Sequence, residues 1–470
     1  MTEAYGAATG RWWQPVSDLQ MGGLALATVL GVWAGASPTA AAAAVACAGL
    51  ALGCRLVRRD LVVAAAALFV AGGLLADRSW REVVPRTLGP YTGWAVVMTD
   101  PQPVGAGMSI VLEVEGQRFR SYVYGSERRR LSARRAGELV QVTGIRVPLR
   151  ATTARRAQVR HVVGEIRLDS VSGHAPGTPL TTSANRLRAQ LSAGASAVMQ
   201  PDDAALFSGL VIGDDTQQPM AMIEQFRSAG LSHLTAVSGQ NVGFVLAVVG
   251  VGLRRLRPWW RLGATWAVIA WFVVLTRVEP SVVRAGTMAA LAALAFALGR
   301  ERSVARLLAV TVTGLVLVDP LLVWSVGFWL SVTATAGVCV VGPRLEPRLG
   351  GPAWLAAPLA VTLGAQAGVI VPSWLVFDRM PSLGIVANLL AVPVAGFVML
   401  YGIPAAIAAS ILPGWAASVV MLPASLGTRW VRTVAALGAE LEPQGAVAVA
   451  AWAVQVVVVV ALLMVGRARR

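Results

Sequence analysis

The sequence predicts an α-helical polytopic membrane protein with a small β-barrel inserted outside the membrane. Hydrophobic residues make up 56% of the 470 positions and the mean hydropathy is +0.64. That is too apolar for a soluble chain of this size. Charged residues are only 14% and gather between long apolar runs. Residues 77–200 break this pattern with short alternating segments bounded by Gly, Pro and Asp.

A helix needs about 20 apolar residues to cross the hydrocarbon core. Candidates open the chain at 19–36, 38–54 and 60–76, and the first run reads as an anchor because two more follow it at once. The runs 93–98, 109–114, 118–124 and 138–144 alternate as half-buried strands do. Five or so strands in 80 residues suit a small barrel, with an OB-fold as first choice. Thr181 to Met199 reads as an amphipathic helix, with Leu187, Leu191 and Val198 on one side and Arg186 and Arg188 near the other. Further spans are expected at 233–253, 262–276, 283–298, 304–318, 353–371, 382–412 (one long or two broken), 414–426 and 446–466. Residues 319–341 read as broken or re-entrant, and six prolines from Pro372 to Pro423 punctuate the last third. Interrupted backbone at membrane depth is tolerated where it is buried in protein or faces water, which favours a channel or transporter over a simple anchor. The expected domains are 1–76 (transmembrane helices), 77–180 (OB-like), 181–230 (helical connector) and 231–470 (channel domain).

The net charge is +16, carried by arginine with no lysine. Arginine placement sets orientation. It assigns the loops 55–59, 254–261, 299–306 and 344–348 and the tail 467–470 to the cytoplasm, with both termini, and 77–230 to the outside. Region 77–200 holds 18 Arg against 9 Asp plus Glu, a net of +9. Arg128, Arg129, Arg130, Arg134, Arg135, Arg155 and Arg156 are its densest cations. With Phe119, Tyr122 and Tyr124 they would suit a nucleic-acid backbone and stacked bases; solvated loops and core aromatics are the alternative. Cys47, Cys54 and Cys339 lie in apolar runs and show no metal spacing.

The stretch from Gly230 to Gly243 places His233, Ser238, Gln240 and Asn241 at the head of an apolar run. Polar groups there are costly and line a path or a site. His233 and Ser238, five residues apart, would face different ways on a helix, which argues against nucleophilic catalysis. Arg284 opens another apolar run. It is read either as a phosphate contact along a pore, or as an ion pair with Glu279 or Asp319, or as a snorkelling side chain. Asp214 and Asp215 form an acidic cluster, either a hard-cation site or a solvated helix cap.

Four ordered blocks resemble the ComEC-type competence family. They run from Phe226 to Gly239, from Pro280 to Ala285, from Asp319-Pro320 through Ser325 to Ser331, and from Pro381 through Asn388 to Pro393. Leu210 to Asp214 resembles the entry to the same domain. The resemblance implies an inner-membrane channel that carries one strand of transforming DNA, and an extracellular OB-fold that helps receive it. Asp319, Ser331 and Asn388 join the expected path on this basis. Where the family usually has Leu-His after Ser-Gly, this chain has Gln240-Asn241. It lacks the OB-fold cysteines that some members pair, and three histidines cannot furnish the nuclease site of the family's C-terminal metallo-β-lactamase-like domain. A short form is therefore expected.

The expected function is conduction of single-stranded DNA into the cytoplasm, without catalysis, metal or cofactor. Partners would be single-stranded DNA, the lipid bilayer, a DNA receptor, a cytoplasmic motor ATPase (no P-loop occurs here) and a separate nuclease; a homo-oligomer is compatible. The rivals are a transporter for a lipid or cell-wall precursor, and a membrane-face enzyme using Asp214, Asp215 and His233.

Overall fold

A computed structural model describes residues 16–35, 59–235, 239–300, 303–377 and 381–465. The expected span 38–54 lies outside them, as do Ser238, Cys47 and Cys54. The protein is mostly helical and divides into two compact units, Met1–Arg81 with Glu301–Val323, and Glu82–Arg300 with Trp324–Arg470.

The first unit packs α1 (Asp18–Gly35), α2 (Arg59–Glu82) and α12 (Val304–Val318). Small residues let the backbones touch: a Cβ on Gly31 would lie 2.1 Å from the Phe69 carbonyl oxygen, and one on Gly35 2.4 Å from that of Gly73. Asp18 tethers α1 to α12 by accepting from Arg306 Nε at 3.2 Å and from the Ser303 hydroxyl. Ser303 also caps α12 through the Arg306 N–H at 3.3 Å.

In the second unit a six-stranded sheet comes first. Its strands are β1 (Gly89–Val97), β2 (Gln102–Val104), β3 (Gly107–Val114), β4 (Gln117–Val123), β5 (Leu139–Pro148) and β6 (Val162–Ala175), in the order β1-β5-β6-β4-β3-β2. Strand β1 also pairs with β3, and β4 runs parallel to β6. The β3–β4 hairpin turns on Glu115 and Gly116, both at positive φ, as a two-residue turn requires to match strand twist. Alternation buries Ile110, Leu112, Phe119 and Ile166. Two helices absent from the sequence reading interrupt the strands, α3 (Gly125–Ser132) and α4 (Ala151–Gln158). They carry Arg128–Arg130 and Arg155–Arg156, so these arginines lie on helices and not in the loops of the alternative reading.

The connector is α5 (Pro179–Ser196), capped by Thr178, then α6 (Pro201–Ile212) and α7 (Met220–Ser228). Helix α6 starts on a proline and stops at Gly213, whose φ of 67° closes the helix in the left-handed region. There follow α8 (Ser232–Thr235), α9 (Gly239–Leu253), α10 (Pro258–Leu275) and α11 (Pro280–Ala297). After a 3-10 turn at Pro320–Trp324 come α13 (Val326–Val340), α14 (Gly342–Leu349), α15 (Ala353–Phe377), α16 (Gly384–Ala409), α17 (Gly414–Leu441) and α18 (Gly445–Val465). The expected break near 319–341 is the 3-10 turn followed by a 48° bend between α13 and α14. The expected stretch 382–412 holds one helix, Gly384–Ala409, despite Pro393 and Pro404. The expected span 414–426 is instead the front of a 28-residue helix running on through Arg429 and Arg432.

Among the described residues six helices are long and apolar enough to cross a membrane, and the bent pair could add a seventh. These helices are consistent with a multi-pass membrane protein. Helices α13 and α15 meet backbone to backbone: a Cβ on Gly337 would sit 2.0 Å from the Gly364 oxygen.

Candidate functional site

Helix α11 carries Arg284 inside a membrane-length apolar segment, and only 7% of the residue is exposed. Its Nε donates to Ser331 Oγ on α13 at 2.7 Å, and Nη1 reaches the Met288 sulfur at 3.4 Å. Glu279, at the head of the same helix, does not pair with it. Among the described residues no carboxylate makes an ion pair with Arg284, so the ion-pair expectation is replaced by a neutral hydroxyl. Helix α9 closes over the guanidinium. A Cβ on Gly239 would stand 3.0 Å from Nη2 and 2.9 Å from the Ala285 Cβ, so this glycine is needed for the approach. A desolvated cation with only neutral partners is costly.

Next along α9, Gln240 is exposed while Asn241 is buried and donates Nδ2 to the Leu210 carbonyl at 3.4 Å. Both line a small cavity with Leu210, Leu234, Phe244 and Val392. Its volume of about 20 Å³ holds about one water. His233 is exposed on α8. Asp319 closes α12 and accepts the Leu321 N–H at 3.1 Å, a turn-forming role. Asn388, on α16, keeps its Oδ1 buried, with no hydrogen-bond partner among the described residues. Nearby in sequence to α7, Gln218 is buried against Gly209 with neither amide atom partnered among the described residues, a feature missed in the sequence. Of the expected path residues, the structure joins Arg284 with Ser331 and Gln240 with Asn241.

The basic surface divides. Arg128 Nη1 donates to the Ala106 carbonyl at 2.9 Å, Arg130 Nη1 to that of Val171 at 2.7 Å, and Arg134 Nη1 stands 3.8 Å from Glu138. These cations fix loops. Arg129, Arg135, Arg155 and Arg156 are exposed. The aromatics divide too. Phe119 is core at 1% exposure, whereas Tyr122 and Tyr124 stand out from the sheet at 42% and 62%. The Tyr124 ring lies on Gly107, where a Cβ would be 2.5 Å from it.

The densest polar cluster was not foreseen. Asp100, in the β1–β2 loop, receives Arg277 bidentately at 2.8 and 2.9 Å and the Ala136 N–H at 2.9 Å. Arg188 of α5 lies 3.3 Å from Asp100 and 3.1 Å from Asp214, and donates to the carbonyls of Ile212 and Leu275. Arg188, expected on the polar side of its helix, is thus buried. Burial pushes the Asp100 carboxyl up, but Arg277 and Arg188 outweigh it and hold it below the usual carboxylate range. Burial and then the Asp214 charge push Asp215 up. Asp214 also accepts from Thr216, so it serves as the part-exposed partner of the buried Arg188 and not as a solvated cap. Among the described residues no group of three His, Cys, Asp or Glu is placed to hold a metal ion.

Two more carboxylates bind helices together. Asp203 of α6, fully buried, faces Arg429 and Arg432 of α17 at 3.0 Å each. Glu442 accepts the Leu383 N–H at 3.0 Å and the Ser382 hydroxyl at 2.9 Å ahead of α16. No local signal marks either residue.

The fold is that of a mostly helical protein with several membrane-length helices and a small sheet, and it buries Arg284 inside one of those helices. The competence protein family model matches residues 210–469, more than half of the chain, and the chain belongs to that ComEC-type family. It is also 27% identical over 233 residues to the uncharacterized protein YcaI of Escherichia coli (strain K12), a match covering 45% of this chain and 30% of that relative. No solved structure matches.

Proposed function

We propose that this protein conducts single-stranded DNA across the bacterial inner membrane during natural transformation. Membership of the competence family supports a role in DNA uptake in general. The observation that carries the finer reading is Arg284, a buried guanidinium on a membrane-length helix whose hydrogen-bond partners among the described residues are neutral. A passing phosphodiester would supply the missing counter-charge, and a planar guanidinium suits its two oxygens. The protein acts as a conduit and not as an enzyme, with force from a separate motor ATPase. A DNA receptor and a nuclease complete the system.

The pairings β1–β3, β3–β4, β4–β6, β6–β5 and β5–β1 form a cycle, which supports reading the sheet as a closed OB-like barrel. Arginine placement supports putting it outside the cell, with both termini in the cytoplasm. There it would meet the strand through its exposed arginines and tyrosines.

The test is uptake of labelled DNA by cells whose own gene carries Arg284→Ala or Arg284→Gln. Removing a desolvated phosphate contact costs about 2 kcal/mol, roughly 30-fold in uptake. Normal uptake at normal protein level removes Arg284 from the path. A lipid or cell-wall precursor with a phosphate head group shares the chemistry. Loss of cell-wall labelling with unchanged DNA uptake would point there.

A further inference from the structure

We infer that Asp100 is a positioning residue for Arg284, acting through the turn that launches α11; this rests on the reading of Arg284 as the phosphate contact. Helix α10 ends in a turn where Arg277 and Val278 both take positive φ, 60° and 59°. The Val278 N–H returns to the Val273 carbonyl at 2.9 Å and the Arg277 N–H to that of Val274 at 3.2 Å. This is the hydrogen-bond pattern of a helix end that ordinarily employs glycine. Arginine there carries a steric cost, and a β-branched residue at positive φ carries more.

What offsets the cost is visible. The Arg277 guanidinium is clamped by both carboxylate oxygens of Asp100, and Nη1 reaches the Ala136 carbonyl at 3.4 Å. Asp100 in turn is held by the Ala136 N–H and by Arg188. The strained turn is therefore over-determined from the sheet, as strained backbone at working sites generally is. Two residues later α11 begins at Pro280, and Arg284 sits one turn further on. Rotation or slippage of α11 at its start would carry Arg284 off Ser331 and out from under Gly239. Asp100 touches neither Arg284 nor Ser331. Its influence travels through backbone conformation.

Two substitutions separate this mechanism from a simple ion pair. Arg277→Ala and Arg277→Gly both delete the pair with Asp100. They differ only by a Cβ, which the left-handed conformation penalises and glycine lacks. Each is made in the full-length protein with Cys47 and Cys54 replaced by Ser. DNA uptake is measured in cells and alkylation of Cys339 in detergent. Cys339 lies about two turns along α13 from Ser331, on the helix that Arg284 holds, so its reactivity reports the α11–α13 contact without any transport. Arg277→Ala is expected to lower uptake at least 10-fold and change the Cys339 rate several-fold. Arg277→Gly is expected to stay within about 2-fold of the parent in both. Asp100→Asn should resemble the alanine variant, and Asp100→Asn with Arg277→Gly should recover. Equal loss in the alanine and glycine variants would assign the effect to the ion pair itself and overturn the inference, as would parent behaviour in both. If Arg284→Ala leaves uptake normal, the transport reading fails, while the Cys339 rates still decide the positioning role. Should Arg277→Ala or Asp100→Asn fail to accumulate, recovery in the double variant carries the same decision.

Discussion

The Nε of Arg284 donates to Ser331 Oγ at 2.7 Å, joining α11 to α13 through a cation and a neutral hydroxyl. The hydroxyl fixes one edge of the guanidinium, and among the described residues no carboxylate pairs with it; on the proposed reading this suits a site that releases its anion. Ser331→Ala deletes the acceptor. A charged donor left without it costs about 1–3 kcal/mol, so uptake should fall about 10-fold while Ser331→Thr stays near the parent. Uptake of labelled DNA at matched protein level checks this, and parity of the alanine variant would argue against a fixed guanidinium.

Asp203 is fully buried and meets two arginines of α17, each part-exposed at its own end. Asp203→Asn keeps the shape and removes the charge. Breaking a fully buried pair costs about 3–5 kcal/mol, and solvent at the two arginines lowers that to about 2 kcal/mol. The apparent Tm of the purified protein should drop by several degrees with the helix content unchanged. A Tm within error of the parent would mean the two contacts are replaceable by water.

Acid should reach the Asp100 cluster late. Its carboxyl is held below the ordinary value, so the folded state binds that proton more weakly than the unfolded chain. The stability it contributes is complete above the usual carboxylate range and is lost as pH falls through the depressed value. Asp215 has the opposite sign: its raised pKa means that ionising it costs stability at neutral pH, regained on acidification. The Tm gap between the parent and Asp100→Asn should therefore hold steady from pH 7 to about pH 5 and narrow only below about pH 4. A gap that closes already near pH 6 contradicts the assignment.

Tyr124 lies on Gly107 and is 62% exposed; on the proposed reading its ring would serve as a base-stacking platform. In the full-length protein Tyr124→Ala should weaken single-strand binding by about 1–3 kcal/mol, and Tyr124→Phe should not. Arg129→Ala with Arg135→Ala should reduce the salt dependence of binding instead. Filter binding over a salt series separates the two. A loss confined to anionic vesicles, with DNA binding intact, would move this face to the membrane surface.

The fold was legible where apolar residues set a period. Alternation marked the runs holding Ile110 and Leu112, and then Phe119, as half-buried strands, and membrane-length runs marked most of the long helices. Helices α3 and α4 were missed because arginine-rich segments carry almost no apolar period. The end of α17 was missed because Arg429 and Arg432 resemble a loop until Asp203 is placed beside them. Arg284 stood out because a charge in an apolar run is expensive wherever the run packs. Its partner did not, since many hydroxyls and carboxylates could have served.

The sequence by itself determined that this chain enters a membrane several times, that a charged β-rich segment interrupts the spans, and which family it belongs to. These follow from hydropathy and local order, which act over one turn or one strand. Only the tertiary structure decided which charges are spent and which are left. Arg277 reaches Asp100 across 177 positions and Arg188 reaches it across 88. No periodicity encodes such meetings. They form because desolvated charges must find one another once the apolar faces have packed.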